Sequence, residues 1–86
     1  MATMLVFHEV EDVDEWLRSP RREEIFSPIG VTVRLFRDPQ GSNRVGMILE
    51  VPDMAAFEEM LASDPDMEAA KADGVRTETA VFLNEA

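Results

Sequence analysis

The chain predicts an α+β fold in which four strands and two helical regions alternate in the order β-α-β-β-α-β. Three observations carry that prediction. Four short runs rich in Val, Leu, Ile, Phe and Met have strand character. Between the first and second runs, and again between the third and fourth, apolar residues recur at helical spacing. Between the second and third lies only the stretch DPQGSN, whose Pro, Gly and Asn content makes it a turn and its flanks a hairpin.

The first strand is Thr3 to Val10. In the following DVDEWLRS, Val13, Trp16 and Leu17 fall at i, i+3 and i+4, a helical stripe. Ser19 is a candidate N-cap and Pro20 suits a first helical position, so the helical region restarts or kinks there. Ile25 and Phe26 supply its apolar side, and Gly30 ends it. The second strand is Val31 to Arg37 and the third Arg44 to Val51. Asp53 caps the next helical region, where Met54, Phe57 and Leu61 share a face. Pro65 restarts that region and Gly74 stops it. The last strand is Val75 to Leu83. This order is the split βαβ, ferredoxin-like plan: an antiparallel sheet in spatial order 4-1-3-2, with both helical regions on one face.

Residues 1–86 make one domain of a size that is often marginal alone. With no cysteine, neither a disulfide nor a thiolate metal site can add stability, which leaves oligomerisation. The net charge of −10, from 18 acidic and 8 basic residues, repels phosphate backbones and anionic lipid. Nucleic acid and membranes are therefore poor partners. Arg18, Arg21 and Arg22 form a short basic cluster that reads as a solvated helix end. No apolar run reaches spanning length and no leader pattern opens the chain, so a cytoplasmic location is expected.

Side-chain parity then divides the strands. The odd set (Leu5, Phe7, Val31, Val33, Leu35, Val45, Met47, Leu49, Val51, Val81 and Leu83) is the more apolar and is expected beneath the helices. The even set is mixed, yet Met4, Val6, Phe36, Ile48, Ala80 and Phe82 would form an exposed patch of the kind that marks an interface. A second copy of the chain, related by a two-fold axis, is the economical cover. The stretches FHEVEDVDEWL, GVTVRLFRDP, NRVGMILEVPDM and SDPDMEAAKADGV span nearly the whole chain. With them the sequence resembles the dimeric α/β-barrel superfamily, and more narrowly its small bacterial cyclase-like members. That resemblance implies two ferredoxin-like subunits pressing their sheets together into a barrel. The superfamily holds polyketide cyclases, lactone isomerases, quinone-forming monooxygenases, haem-degrading enzymes and binding domains without catalysis, so the fold does not fix the function.

The candidate site follows from the even set. A register that preserves parity sets His8, the one histidine, beside Glu78 and Gly46. Gly46 leaves space next to the imidazole. A histidine with a carboxylate neighbour in an apolar barrel can act as a general base; the plainer reading is an interface histidine. Arg34 can clamp a carboxylate or enolate, or form a salt bridge between subunits. Phe36, Ile48 and Phe82 would wall the pocket, while Trp16 with Val13 and Leu17 reads as helix-to-sheet core. One histidine without cysteine makes no usual zinc site, the helices carry no histidine for haem, and no phosphate loop or nucleophile elbow is present. The expected protein is thus a homodimer that binds a small apolar or aromatic molecule and uses no cofactor or metal. Its expected chemistry is that of a polyketide cyclase or isomerase with His8 as base. A cofactor-independent monooxygenase and a non-catalytic binding or assembly module are the alternatives.

Overall fold

A computed structural model describes residues 2–86, except the side chains of Pro65 and Asp66. Strand β1 spans Ala2–Val10, helices α1 and α2 span Val13–Arg18 and Arg21–Phe26, and a 3-10 turn at Ser27–Ile29 leads into β2, Thr32–Arg37. After the hairpin come β3, Arg44–Val51, helices α3, Met54–Leu61, and α4, Asp64–Ala72, and finally β4, Val75–Asn84. The sheet order is β2-β3-β1-β4 with every pairing antiparallel. This is the expected ferredoxin-like order, read from the opposite edge.

Local chemistry sets the helix boundaries. The Asp12 carboxylate accepts from the Glu15 amide at 3.1 Å and starts α1, and Asp53 does the same for α3 through the Ala56 amide at 3.2 Å. Each helical region is broken in two, near Pro20 and near Ser63. Pro20 itself occupies the N-cap position of α2, so that helix begins at Arg21, one residue later than the sequence suggested. The Ser19 hydroxyl accepts from the Arg21 amide at 3.3 Å and donates to Asp73. Gly74 takes a left-handed φ of 74°, which lets the chain leave α4 and turn directly into β4.

The strand register corrects the parity reading. In the β1–β3 ladder Met4 faces Leu49, Val6 faces Met47 and His8 faces Val45, so even positions of β1 pair with odd positions of β3. Between β2 and β3 the pairing joins like parities, as in Leu35 with Met47 and Phe36 with Gly46. The even side of β1 therefore joins the odd sides of β2 and β3 under the helices. Met4, Val6, His8 and Val10 are buried there with Val45, Met47, Leu49 and Val51, against Trp16, Phe26 and Phe57 from the helices. Leu5 and Phe7, expected beneath the helices, lie on the other face. The cause is physical: a one-residue difference in register turns a whole strand over, and β1 is joined to β3 through no tight turn that would fix its offset.

Strand β4 changes parity within its own length. Leu5 pairs with Leu83 and Phe7 with Val81, but beyond the break Glu9 pairs with Arg76 and Val10 with Val75. Thr77 to Ala80 thus lie opposite His8 alone. The Thr79 hydroxyl pins this widened stretch, accepting from the Glu9 amide at 2.9 Å and donating to the Arg76 carbonyl at 2.6 Å. As a result Ala80 and Phe82 turn to the helix side, while Val81 and Leu83 turn away from it.

The face without helices is apolar, as expected, but through a different set of residues. Phe36 and Ile48 belong to it as predicted. Leu5, Phe7, Val81 and Leu83 take the places assigned to Met4, Val6, Ala80 and Phe82. Leu5, Phe36, Val81 and Leu83 are exposed large hydrophobics. Arg34 lies over the Phe36 ring with its guanidinium carbon 5.7 Å from the centroid, and the Thr3 hydroxyl donates to the Glu50 carboxylate at 2.8 Å.

Candidate functional site

The break in the β1–β4 ladder borders a cavity of about 210 Å³ between the sheet and the helices. Val6, Met47 and Leu49 form its floor, and Phe26 and Phe57 rise from the helices at its sides. Four polar side chains reach it: His8, Arg22, Asp73 and Thr77.

His8 is placed by β1 at the one position where the ladder to β4 is open. It is only 5 % exposed. Its ring meets Trp16 at 84° with the centroids 5.6 Å apart, an edge-to-face contact. Among the described residues its Nδ1 is buried with no hydrogen-bond partner. Burial is the main force pulling its pKa below the ordinary 6.5, the positive charge of Arg22 adds to it, and a hydrogen bond to the Glu9 backbone opposes it. The imidazole is therefore neutral at pH 7, with one N–H and one lone pair. A buried polar atom left without a partner, on a side chain that lines a cavity, calls for an explanation, and a ligand bond is one.

Arg22 sits on the other aromatic neighbour of this cavity. Its guanidinium carbon lies 4.5 Å from the Trp16 ring centroid, and its Nη2 donates to the Trp16 carbonyl at 3.1 Å. Read from sequence it belonged to a solvated basic cluster. The chain reversal at Ser19 and Pro20 brings it back over Trp16, and a separation of six residues across a break carries no helical-face signal. Asp73 is the second group that pattern reading passed over. Its carboxylate, 6 % exposed, accepts from the Ser19 hydroxyl at 2.7 Å and from Arg21 Nη1 at 2.9 Å, which ties α2 to the end of α4.

Of the residues singled out from sequence, His8 and Phe82 line the cavity. Arg34, Phe36, Gly46 and Ile48 lie on the opposite face of the sheet. Gly46 faces Phe7, not His8. A Cβ added at Gly46 would meet the Val6 carbonyl oxygen at 3.5 Å and the Phe7 and Phe36 Cβ atoms at 3.8 and 3.9 Å, so this glycine gives no room beside the imidazole. Glu78 is exposed in the widened part of β4, where its charge acts on Arg76. The charged side chain that acts on His8 is Arg22. The constellation of His8, Gly46 and Glu78 is thus replaced by His8, Trp16 and Arg22, because the odd offset of β1 against β3 sends His8 to the helix side.

No family model matches the chain, and no curated protein matches its sequence. Solved structures of the same fold do match. An antibiotic biosynthesis monooxygenase superposes with a TM-score of 0.68 at 15% identity, over 100% of this chain and 97% of that one. SnoaB, a cofactor-independent oxygenase from Streptomyces nogalater, gives 0.66 at 18% identity, over 98% and 87%. A protein from Arabidopsis thaliana gives 0.64 at 8% identity, over 100% and 94%. At these identities the likeness establishes the ferredoxin-like fold implied by the sequence.

Proposed function

We propose that the chain binds a small, flat, largely apolar molecule in the cavity beneath the helices and removes a proton from it with His8. The observation that carries this reading is His8, a buried imidazole with an unpartnered Nδ1, among the residues that line a largely apolar cavity. A dry cavity of about 150 Å³ holds benzene, so 210 Å³ suits a molecule of one or two fused rings. The neutral imidazole takes a proton from an acidic O–H or C–H, and the electron pair stays on the ligand as a phenolate or enolate. Ring closure or isomerisation of that anion is one outcome. The other is oxygenation without a cofactor: one atom of dioxygen enters the product, the other leaves as water, and the substrate supplies the electrons. The likeness to a cofactor-independent oxygenase supports this second course.

The assembled form in this proposal is a dimer. The open face carries six large apolar side chains on four strands, and a second copy related by a two-fold axis covers them without exposing a new edge.

Trp16 is the one tryptophan and lies at the cavity, so its fluorescence reports occupancy directly. Titration with naphthols should quench it, and incubation under dioxygen should show product formation or oxygen uptake. His8→Phe keeps the ring and removes the proton acceptor. Binding that persists in this variant with turnover lost supports the base role. Full turnover by the Phe variant would refute it, and ligand binding without turnover in the parent would favour a binding module.

A further inference from the structure

We propose that Arg22 selects the ligand, so that the cavity takes a flat ring system carrying an oxyanion, a carboxylate or an ionised enol or phenol, seated on the Arg22 guanidinium beside the proton taken by His8. This rests on the reading of the cavity as a ligand site and narrows the class of molecule it accepts. Two placements support it. Arg22 and His8 both pack against Trp16, and both line the same cavity. One bicyclic molecule in that cavity can therefore meet both.

The charge balance points the same way. The neighbouring Arg21 pairs with the Asp73 carboxylate at 2.9 Å. Arg22, half-buried, has no ion pair among the described residues, and its bond to the Trp16 carbonyl uses one of five N–H donors. The Asp73 carboxylate, already paired with Arg21, is the charge that acts on Arg22 against its burial. A cation taken partly out of water with no ion pair of its own is costly, and an arriving anion recovers part of that cost. The planar guanidinium offers such an anion two parallel N–H groups.

Arg22 also resolves a difficulty in the proton transfer. Burial and the nearby guanidinium both disfavour the imidazolium that His8 becomes on accepting a proton. Transfer from a neutral ligand would therefore run uphill. An anion lying against Arg22 offsets both charges: the proton goes to Nδ1, the electron pair remains on the ligand, and the new negative charge neighbours two cations.

The test is a Trp16 quenching titration at pH 7 with two probes of similar size, 2-naphthol and 3-hydroxy-2-naphthoate. The parent should bind the naphthoate about tenfold or more tightly than the naphthol, and added sodium chloride should narrow the gap. Arg22→Gln and Arg22→Met should abolish the preference, so that within each variant the naphthoate binds no more tightly than the naphthol; Met keeps an unbranched stem over the indole. Arg22→Lys should restore part of the preference, since it returns the charge without the planar fork. Circular dichroism and thermal melts establish that each variant is folded. Equal affinity of the parent for both probes, or a preference that survives in either neutral variant, overturns the role of Arg22 and leaves the cavity reading standing. Absence of quenching by either probe in the parent overturns the cavity reading, and this inference with it.

Discussion

The two faces of this sheet are built by the same residues of chain taken alternately, and they meet water in opposite ways. On the covered face Val6, Val10, Leu49 and Val51 are almost fully buried against Trp16 and Phe57. On the open face Phe36 is 44 % exposed and Leu83 48 %, though their side chains are as apolar as those on the other side. The difference is therefore not one of composition. It lies in what each face has been given to pack against. The covered face is packed by the chain's own helices except at Phe82, which stays 48 % exposed, and it holds His8, the buried titratable side chain among the described residues, with the cavity beside it. The open face has no cover within the chain and only polar fringes, Arg34 over Phe36 and the Thr3–Glu50 pair. In the proposed function the base lies on the helix-covered face, so the proposed site is complete in one chain and the open face serves the proposed dimer.

Two adjacent residues of β3 offer the strongest way to break that division. Ile48 is on the open face and Leu49 on the covered one. Ile48→Asp places an unpaired carboxylate in the proposed subunit contact, where its burial costs several kcal/mol; sedimentation should show dimer dissociation strengthened about a thousandfold. A parent protein that sediments as a monomer at micromolar concentration would remove the open-face proposal outright. Leu49→Ala should act on the other side. It should lower unfolding stability by about 2–5 kcal/mol in urea titrations, through lost burial and a larger cavity, while the subunit contact of folded protein stays unchanged. If Ile48→Asp lowered cavity binding as much as Leu49→Ala does, the two faces would not be separate functional regions.

The order of elements was legible in the sequence because each rests on local chemistry. Asp53 caps as read, the stretch at 38–43 turns, and the Pro20 region breaks its helix. The facing of β1 was not legible. Both its alternate sets are apolar, so patterning gives no vote, and the helical connection after β1 leaves its offset free. That one ambiguity misplaced His8, Met4 and Val6 together. The parity change inside β4 was hidden for a different reason: it depends on the Thr79 hydroxyl replacing a strand partner at the Glu9 amide, a contact between residues 70 positions apart. Arg22 was hidden by a chain reversal. The apolar character of the open face survived these errors because β2 and β3 contributed Phe36 and Ile48 as expected, and β1 is apolar either way.

Gly46 gives a smaller effect with a decisive sign. Had it faced His8, Gly46→Leu would have filled the cavity. It lies between Phe7 and Phe36 instead, with ordinary spacing for an added Cβ. The substituted Leu should therefore fold normally and crowd the partner, weakening the dimer by about 1–3 kcal/mol through overpacking. Quenching of Trp16 by a bound naphthol should be unaffected at protein concentrations where the dimer is kept. A loss of binding with the dimer intact would return Gly46 to the ligand site and reverse the assignment of the faces.

The smallest expected effect tests the environment of His8 itself. Its folded pKa lies below the unfolded value of about 6.5, chiefly through burial. Between those two values the unfolded chain binds the proton and the folded chain does not, so stability rises with pH. The contribution is fully present above the unfolded value, is lost as pH falls from there to the folded value, and is constant below it. His8→Phe has no such component and also removes the unsatisfied Nδ1, so the variant should be the more stable at every pH. Subtracting its urea-derived stability from that of the parent, pH by pH, cancels the exposed Glu11–Arg76 pair, whose loss in acid is common to both. The difference should widen against the parent on acidification below 6.5 and be flat above it, at about 1.4 kcal/mol for each tenfold change in proton affinity. A difference that instead moves in favour of the parent as pH falls would mean that protonated His8 gains a carboxylate partner. The cavity would then hold an ion pair, and the case for a neutral base facing an apolar ligand would fail.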